Sequence, residues 1–196
     1  MCSRFETERS AVLPRFDIDQ ASEVARAATW GEIRPTDPIL LICYDNEPVV
    51  RRWGLAAKWA SRPIINARAE EVAAKRMFQP LLAARCVIPA SAWFEWRIEG
   101  GRKIKTRIAA DGPLAMAGLM DDAHSVLLTC AAAPSIARVH DRMPVVLAEE
   151  AIAEWLNPDA DFGDVNHWLV PALRPFGGVD ADPAQRQPPP RQASLF

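Results

Sequence analysis

The residues of this chain best suited to chemistry begin at its second position. Cys2 follows the initiator Met1. A Met ahead of a small residue is normally trimmed, which leaves Cys2 with a free α-amine and a thiol on one two-carbon frame. The amine, with a reference pKa of about 7.7–8.0, is partly unprotonated near neutral pH. The thiol, at about 8.5, is partly thiolate and strongly nucleophilic. An aldehyde meeting this pair forms a Schiff base with the amine, and the thiol then closes a five-membered thiazolidine. No internal Cys carries both groups, and with Met1 still attached the amine is lost to an amide. The other reading is a Cys at position 2 with no role, and position alone favours that one.

Three further segments place polar groups inside apolar strands. Glu95 stands among bulky aromatics in Trp93-Phe94-Glu95-Trp96. A carboxylate in such surroundings is costly to keep charged, so its pKa tends upward, as a general acid/base near neutral pH requires. Taken alone, an ion pair with Arg97 or Arg68 on a solvated strand face is the stronger reading. His140, ahead of Asp141-Arg142, is either a helix-terminal surface residue or a catalytic one. Asn66 is either a turn cap or an amide that holds an amine or a carbonyl. Arg4, Arg68, Arg76 and Arg142 are scattered solvated charges, or, if the segments converge, a strip for phosphates. Trp53, Trp93 and Trp96 are most simply core, although an exposed indole stacks well on an unpaired base.

Composition limits the alternatives. A chain of 196 residues with 49% apolar and 24% charged residues suits one soluble domain with a sizeable core. The net charge of −2 does not advertise a nucleic-acid binder, so an anionic partner must be met by locally clustered Arg. Arg far outnumbers Lys, which favours planar, bidentate contacts. The other three cysteines, Cys43, Cys86 and Cys130, sit in apolar runs without CxxC spacing and read as buried small hydrophobes in a reducing compartment. The three histidines are scattered, which argues against a metal site, and no cofactor is implied. No signal peptide and no apolar run of ~20 residues is present, which points to the cytoplasm and to no membrane partner. Nothing argues for a stable oligomer, so a monomer is expected.

The elements that must position these residues follow from periodicity. A polar, loop-like start precedes a helix over residues 19–28. Residues 39–44 and 49–54 read as a hairpin about Asp45-Asn46-Glu47-Pro48. A short extended piece at 64–68 leads into a helix over residues 69–78. Strands follow at 86–89, 91–98, 103–109, 114–119, 126–131 and 143–147, with Glu99-Gly100-Gly101-Arg102 as a tight turn. Residues 133–139 suit one or two helical turns, 148–156 a helix stopped by Asn157-Pro158, and 161–169 a further short helix. The fold class is α+β: a single compact domain, residues 1–176, with a curved, barrel-like, mostly antiparallel β core and short peripheral helices. Residues 177–196, rich in Ala, Asp, Gln, Arg and Pro, read as a disordered tail.

The combined motifs resemble one family. Met-Cys-x-Arg at the N-terminus, Trp53-Gly54, Asn66-Ala67-Arg68 with Glu70 and then Arg76-Met77-Phe78, Trp93-Phe94-Glu95-Trp96, and His140-Asp141-Arg142-Met143-Pro144 occur in the order seen in SRAP (SOS-response-associated peptidase) domains. The resemblance covers roughly residues 1–170. It implies a β-rich α+β domain that binds single-stranded DNA and joins covalently to abasic sites through a thiazolidine on Cys2. It places Cys2, Asn66, Glu95 and His140 at active-site positions. It places Arg4, Arg68, Arg76 and Arg142 on DNA phosphates, and Pro35, Trp53 and Trp96 where residues wedge or stack near the bases. It also implies self-release of Met1, the origin of the peptidase name. Two other readings are a thiol peptidase using Cys2, His140 and Asn66, and a single-strand binding module without covalent chemistry.

Three features depart from the family pattern. Ser3 stands where Gly is usual. Gly31-Glu32-Ile33-Arg34-Pro35 replaces Tyr-Asn-x-Ala-Pro, which puts the negative Glu32 near the DNA groove with Arg34 available to offset it. The long insertions of many relatives are absent. At the far end, Gln192-Ala193-Ser194-Leu195-Phe196 resembles the Gln-x-x-Leu-Phe peptide by which bacterial repair proteins dock on the DNA polymerase sliding clamp. Gln192, Leu195 and Phe196 would be its anchors. The alternative is a tail that happens to finish apolar.

Overall fold

The computed structural model describes residues 2–172 and 174–180. In chain order the elements are β1 (Arg4–Thr7), α1 (Arg9–Arg15), α2 (Glu23–Ala27), β2 (Gly31–Ile33), β3 (Pro38–Ile42), β4 (Pro48–Trp53), β5 (Asn66–Arg68), β6 (Arg85–Ala90), β7 (Ala92–Glu99), β8 (Arg102–Ala109), β9 (Leu114–Met120), β10 (His124–Ala131), β11 (Arg142–Pro144), α3 (Glu149–Leu156), α4 (Phe162–Val165) and β12 (Gly177–Asp180). They form one α+β domain. The larger sheet runs β11-β10-β4-β3-β6-β9, with β5 also on β10, and β9 pairs back onto β10. That last pairing closes β10, β4, β3, β6 and β9 into a barrel. The second sheet runs β12-β8-β7-β1-β2 and is antiparallel throughout. Among the described residues, only the pairings of β10 with β4 and β5 are parallel.

The sheets share one core. β6 passes into β7 across Ser91, whose N–H donates to Glu6 O at 2.7 Å. Phe5 on β1 meets Trp53 on β4 edge to face, with ring centroids 4.9 Å apart, and both are fully buried. Each such side chain contributes about 1.5–3 kcal/mol by leaving water. Gly54 follows Trp53 at φ 123°, and a Cβ there would stand 2.8 Å from the Pro63 side chain, so this crossing admits only glycine. No described helix is long and apolar enough to cross a membrane.

The hairpin, the strands from 85 to 131 and the α3 helix follow the sequence expectation. Several local assignments differ. The loop-like start holds β1 and α1, because Val12 and Leu13 are fully buried despite Pro14 in the last turn. The helix expected over residues 19–28 is confined to α2, where Ser22 Oγ accepts from Ala25 N–H and sets its start. Residues 69–78 form successive turns instead of a helix. Val72 and Phe78 are both buried, and their spacing of six does not fit one helical face, whereas turns bring both inward. Gly177–Asp180, which the sequence places in the tail, pair with β8 as an edge strand. The rest of the tail, with Gln192, Leu195 and Phe196, lies outside the described residues.

Candidate active site

Strand β10 is the element that assembles the polar residues. On one edge Leu127 pairs with Asn66 and Thr129 with Arg68. On the other edge Ala131 pairs with Arg142, just after His140. The second sheet supplies the rest. Arg4 pairs with Phe94 and Phe5 with Trp93, so β1 lays the N-terminus along β7 beside Glu95. Alternation along β7 turns Trp93, Glu95 and Arg97 to one face and Phe94, Trp96 and Ile98 to the other. Segments far apart in sequence therefore meet at one junction between the barrel and the second sheet.

At that junction Asn66 Nδ2 donates to Cys2 O at 2.6 Å. This bond fixes the amide orientation and leaves Asn66 Oδ1 buried without a hydrogen-bond partner among the described residues. A buried acceptor in that position is costly unless something donates to it. Glu95 is 2% exposed, and its Oε2 lies 3.9 Å from His140 Nε2. Burial is the main cause that pushes the Glu95 carboxyl up to about 7. Burial also lowers the pKa of His140. Its Nδ1 accepts from Arg142 N–H at 2.9 Å, although an Asp141 carboxylate oxygen lies at the same distance. The backbone donor is fixed and Asp141 is solvated, so the neutral ring carries its proton on Nε2, toward Glu95. Cys2 is itself buried, and its Sγ donates to Arg4 O at 3.2 Å. Burial, and after it the Glu95 carboxylate, push this thiol well above the usual cysteine range. No three His, Cys, Asp or Glu side chains form a metal-binding cluster among the described residues.

The arginines take separate places around the junction. Arg68 and Arg76 line a groove of about 570 Å³ together with Asn66, Met77, Phe78 and Trp59. Trp59 is 74% exposed and was missed from sequence. Its signal was an indole in a loop of Ala, Lys, Ser and Arg that offers no core face. Arg4 is on the outer face of the second sheet, which Trp96 shares. Lys103 Nζ lies 5.3 Å from the Trp96 ring. Trp96 is thus adjacent to Glu95 in sequence but on the opposite side of β7. Arg142 is held in a bidentate pair by Glu70 at 2.7 and 2.8 Å and also donates to Thr129 O at 2.6 Å. Pro35 is half-buried in the turn after β2, the edge strand that carries Glu32. Trp53, expected near the bases, is instead a core residue. It has no exposed face, and its Nε1 donates to Ile65 O at 2.9 Å.

Comparison with known proteins identifies the family. A family profile described as SOS response associated peptidase (SRAP) matches residues 1–178. The abasic site processing protein YoqW of Bacillus subtilis is 33% identical over 94% of this chain and 92% of its own length. The abasic site processing protein YedK of Escherichia coli is 40% identical over 74% of this chain and 65% of its own. A protein of Bacteroides thetaiotaomicron solved by X-ray crystallography superposes with a TM-score of 0.78 at 21% identity, covering 93% of each chain, and so shares the fold. The matched profile spans nearly all of the described domain, and this chain belongs to the SRAP family.

Proposed function

We propose that this chain binds single-stranded DNA in the cytoplasm and crosslinks itself to abasic sites through Cys2 once Met1 is removed. The observation that carries the proposal is the junction itself, where Asn66 bonds the Cys2 carbonyl, Glu95 lies 3.9 Å from His140 and burial lifts the Glu95 pKa to about 7. A ring-closed abasic sugar opens to its aldehyde with proton transfer to and from Glu95. The Cys2 amine adds to the aldehyde carbon, and a proton delivered by Glu95 or His140 lets water leave as the imine forms. The Cys2 thiol then adds to the imine carbon and its proton passes to the ring nitrogen. One C–N and one C–S bond form, and one water is released. The thiol is the poorer nucleophile while buried, so the amine acts first and the thiol closes the ring. Asn66 Oδ1, buried without a partner among the described residues, would accept from the freed amine or from a sugar hydroxyl. Holding these groups together supplies an effective molarity of up to ~10⁵ M or more.

The strand would run from the groove of Trp59, Arg68 and Arg76, across Cys2, to the face of Arg4 and Trp96. Trp59 offers the open indole for stacking that Trp53 does not. Glu95 and His140 are also of the types that would serve as general base and acid in hydrolysis of the Met1–Cys2 bond. The proposal extends to the tail, where Gln192, Leu195 and Phe196 would dock on a sliding clamp. The residue types support it, and deleting the last five residues is expected to abolish clamp binding in a titration. The crosslink is tested with single-stranded oligonucleotides that carry or lack an abasic site. A denaturation-resistant band should require the lesion and vanish in Cys2→Ala. A band that survives Cys2→Ala overturns the mechanism.

A further inference from the structure

Three of the four arginines assigned to phosphates already hold carboxylates, and two of these pairs, those of Arg4 and Arg68, are open to water. Arg4 Nε lies 3.3 Å from Glu32 Oε1, and Arg68 Nη1 lies 3.2 Å from Glu71 Oε1. Each carboxylate has a second cation on its other oxygen: Lys105 Nζ on Glu32 and Lys75 Nζ on Glu71, both at 2.5 Å. The two arginines flank the junction, each two residues beyond a member of the Cys2–Asn66 pair. All six side chains are partly open to water, with exposures from 23% to 53%. The Glu70–Arg142 pair is different, because Arg142 is only 14% exposed and is tied to the Thr129 carbonyl. Glu32 also falls at the departure from the family pattern, and its partners are Arg4 and Lys105 instead of Arg34.

We infer that Glu32 and Glu71 are placeholders for DNA phosphates. They occupy Arg4 and Arg68 in the free protein and surrender them when a strand binds. The lysine is what makes the exchange cheap, since each carboxylate stays paired after its arginine leaves. Screening at these exposed sites keeps each pair weak, so a phosphate competes readily. The same carboxylates lower affinity by repelling the incoming backbone. They also blunt salt dependence, because each carboxylate, left with one cation where it had two, takes up counterions while the DNA releases them. This chain thereby sets its own single-strand affinity below what its arginines alone would give. The inference rests on the reading of Arg4 and Arg68 as phosphate ligands.

The test is anisotropy of a labelled single-stranded oligonucleotide without a lesion, titrated over a salt series. The proteins are the wild type, E32Q/E71Q and the control E149Q/E150Q. The control removes the same two charges from the first turn of α3, where Glu149 pairs with Arg15. E32Q/E71Q should bind about tenfold tighter at low salt, with a log–log salt slope steeper by as much as about 1.4. The control should move less than about twofold. Wild-type binding with E32Q/E71Q no tighter than the control overturns the placeholders and leaves the phosphate assignment standing. Failure of all three proteins to bind overturns the assignment and the inference together.

Discussion

Replacing Glu95 with Gln should change how stability depends on pH, and the size of the effect follows from its site. Burial moves the carboxyl from an ordinary 4.5 to about 7. The folded pKa lies above the unfolded one, so between these values the folded state keeps a proton that the unfolded state has lost. The contribution of Glu95 is therefore fully present below pH ~4.5, declines as pH rises through the window and levels off above ~7. A shift of that size corresponds to about 3 kcal/mol. Gln keeps the shape and a donor but cannot ionise. Relative to wild type, Glu95→Gln should gain about 3 kcal/mol between pH 4.5 and pH 8. Denaturant unfolding of both proteins at several pH values measures this as a difference, which cancels the other titrating groups. A difference that stays flat from pH 4.5 to 8 would refute the claim that Glu95 is held protonated by its surroundings. The same variant should lose crosslinking, because the group that moves protons at the sugar is gone.

Two other predictions concern the surfaces beside the junction. Trp59→Ala should weaken single-strand binding by roughly 1–3 kcal/mol, read by anisotropy, with no change in melting temperature, because the indole is mostly in water. Arg142→Ala should lower the melting temperature, by the equivalent of about 1–3 kcal/mol, because it strands Glu70 and the Thr129 carbonyl. Retained thermal stability with lost DNA binding would instead make Arg142 primarily a phosphate ligand.

Much of the fold was legible because alternation and turn residues are local. The hairpin about residues 45–48 and the strands from 85 to 131 carry their periodicity in the sequence itself. The barrel closure, β9 onto β10, was only implied as curvature, since no local pattern encodes which strand returns to which. The turns at residues 69–78 escaped detection because Glu71 and Lys75 have helical spacing, while the burial of Val72 and Phe78 decides otherwise. At the site, Cys2 and Glu95 suggested a chemistry by residue type, but each taken alone favoured an inert reading until the motifs were combined. Asn66 and His140 also gained meaning only from the combination of motifs, because their segments flank β10 on opposite edges and nothing local in the sequence shows this. Trp53 illustrates the opposite limit. A tryptophan beside a glycine looks the same in sequence whether it stacks on a base or fills the core, and only the packing against Phe5 distinguishes them.

The most direct test of the central claim is the intact mass of the adduct formed with a single-stranded oligonucleotide bearing one abasic site, followed by proteolysis to locate the linkage. The account predicts the mass of the chain without Met1 plus that of the oligonucleotide, less one water. It also predicts that the modification lies on the N-terminal peptide at Cys2 and persists without a reducing agent. An adduct that retains Met1, or one that maps to a lysine and survives only after reduction, would contradict it.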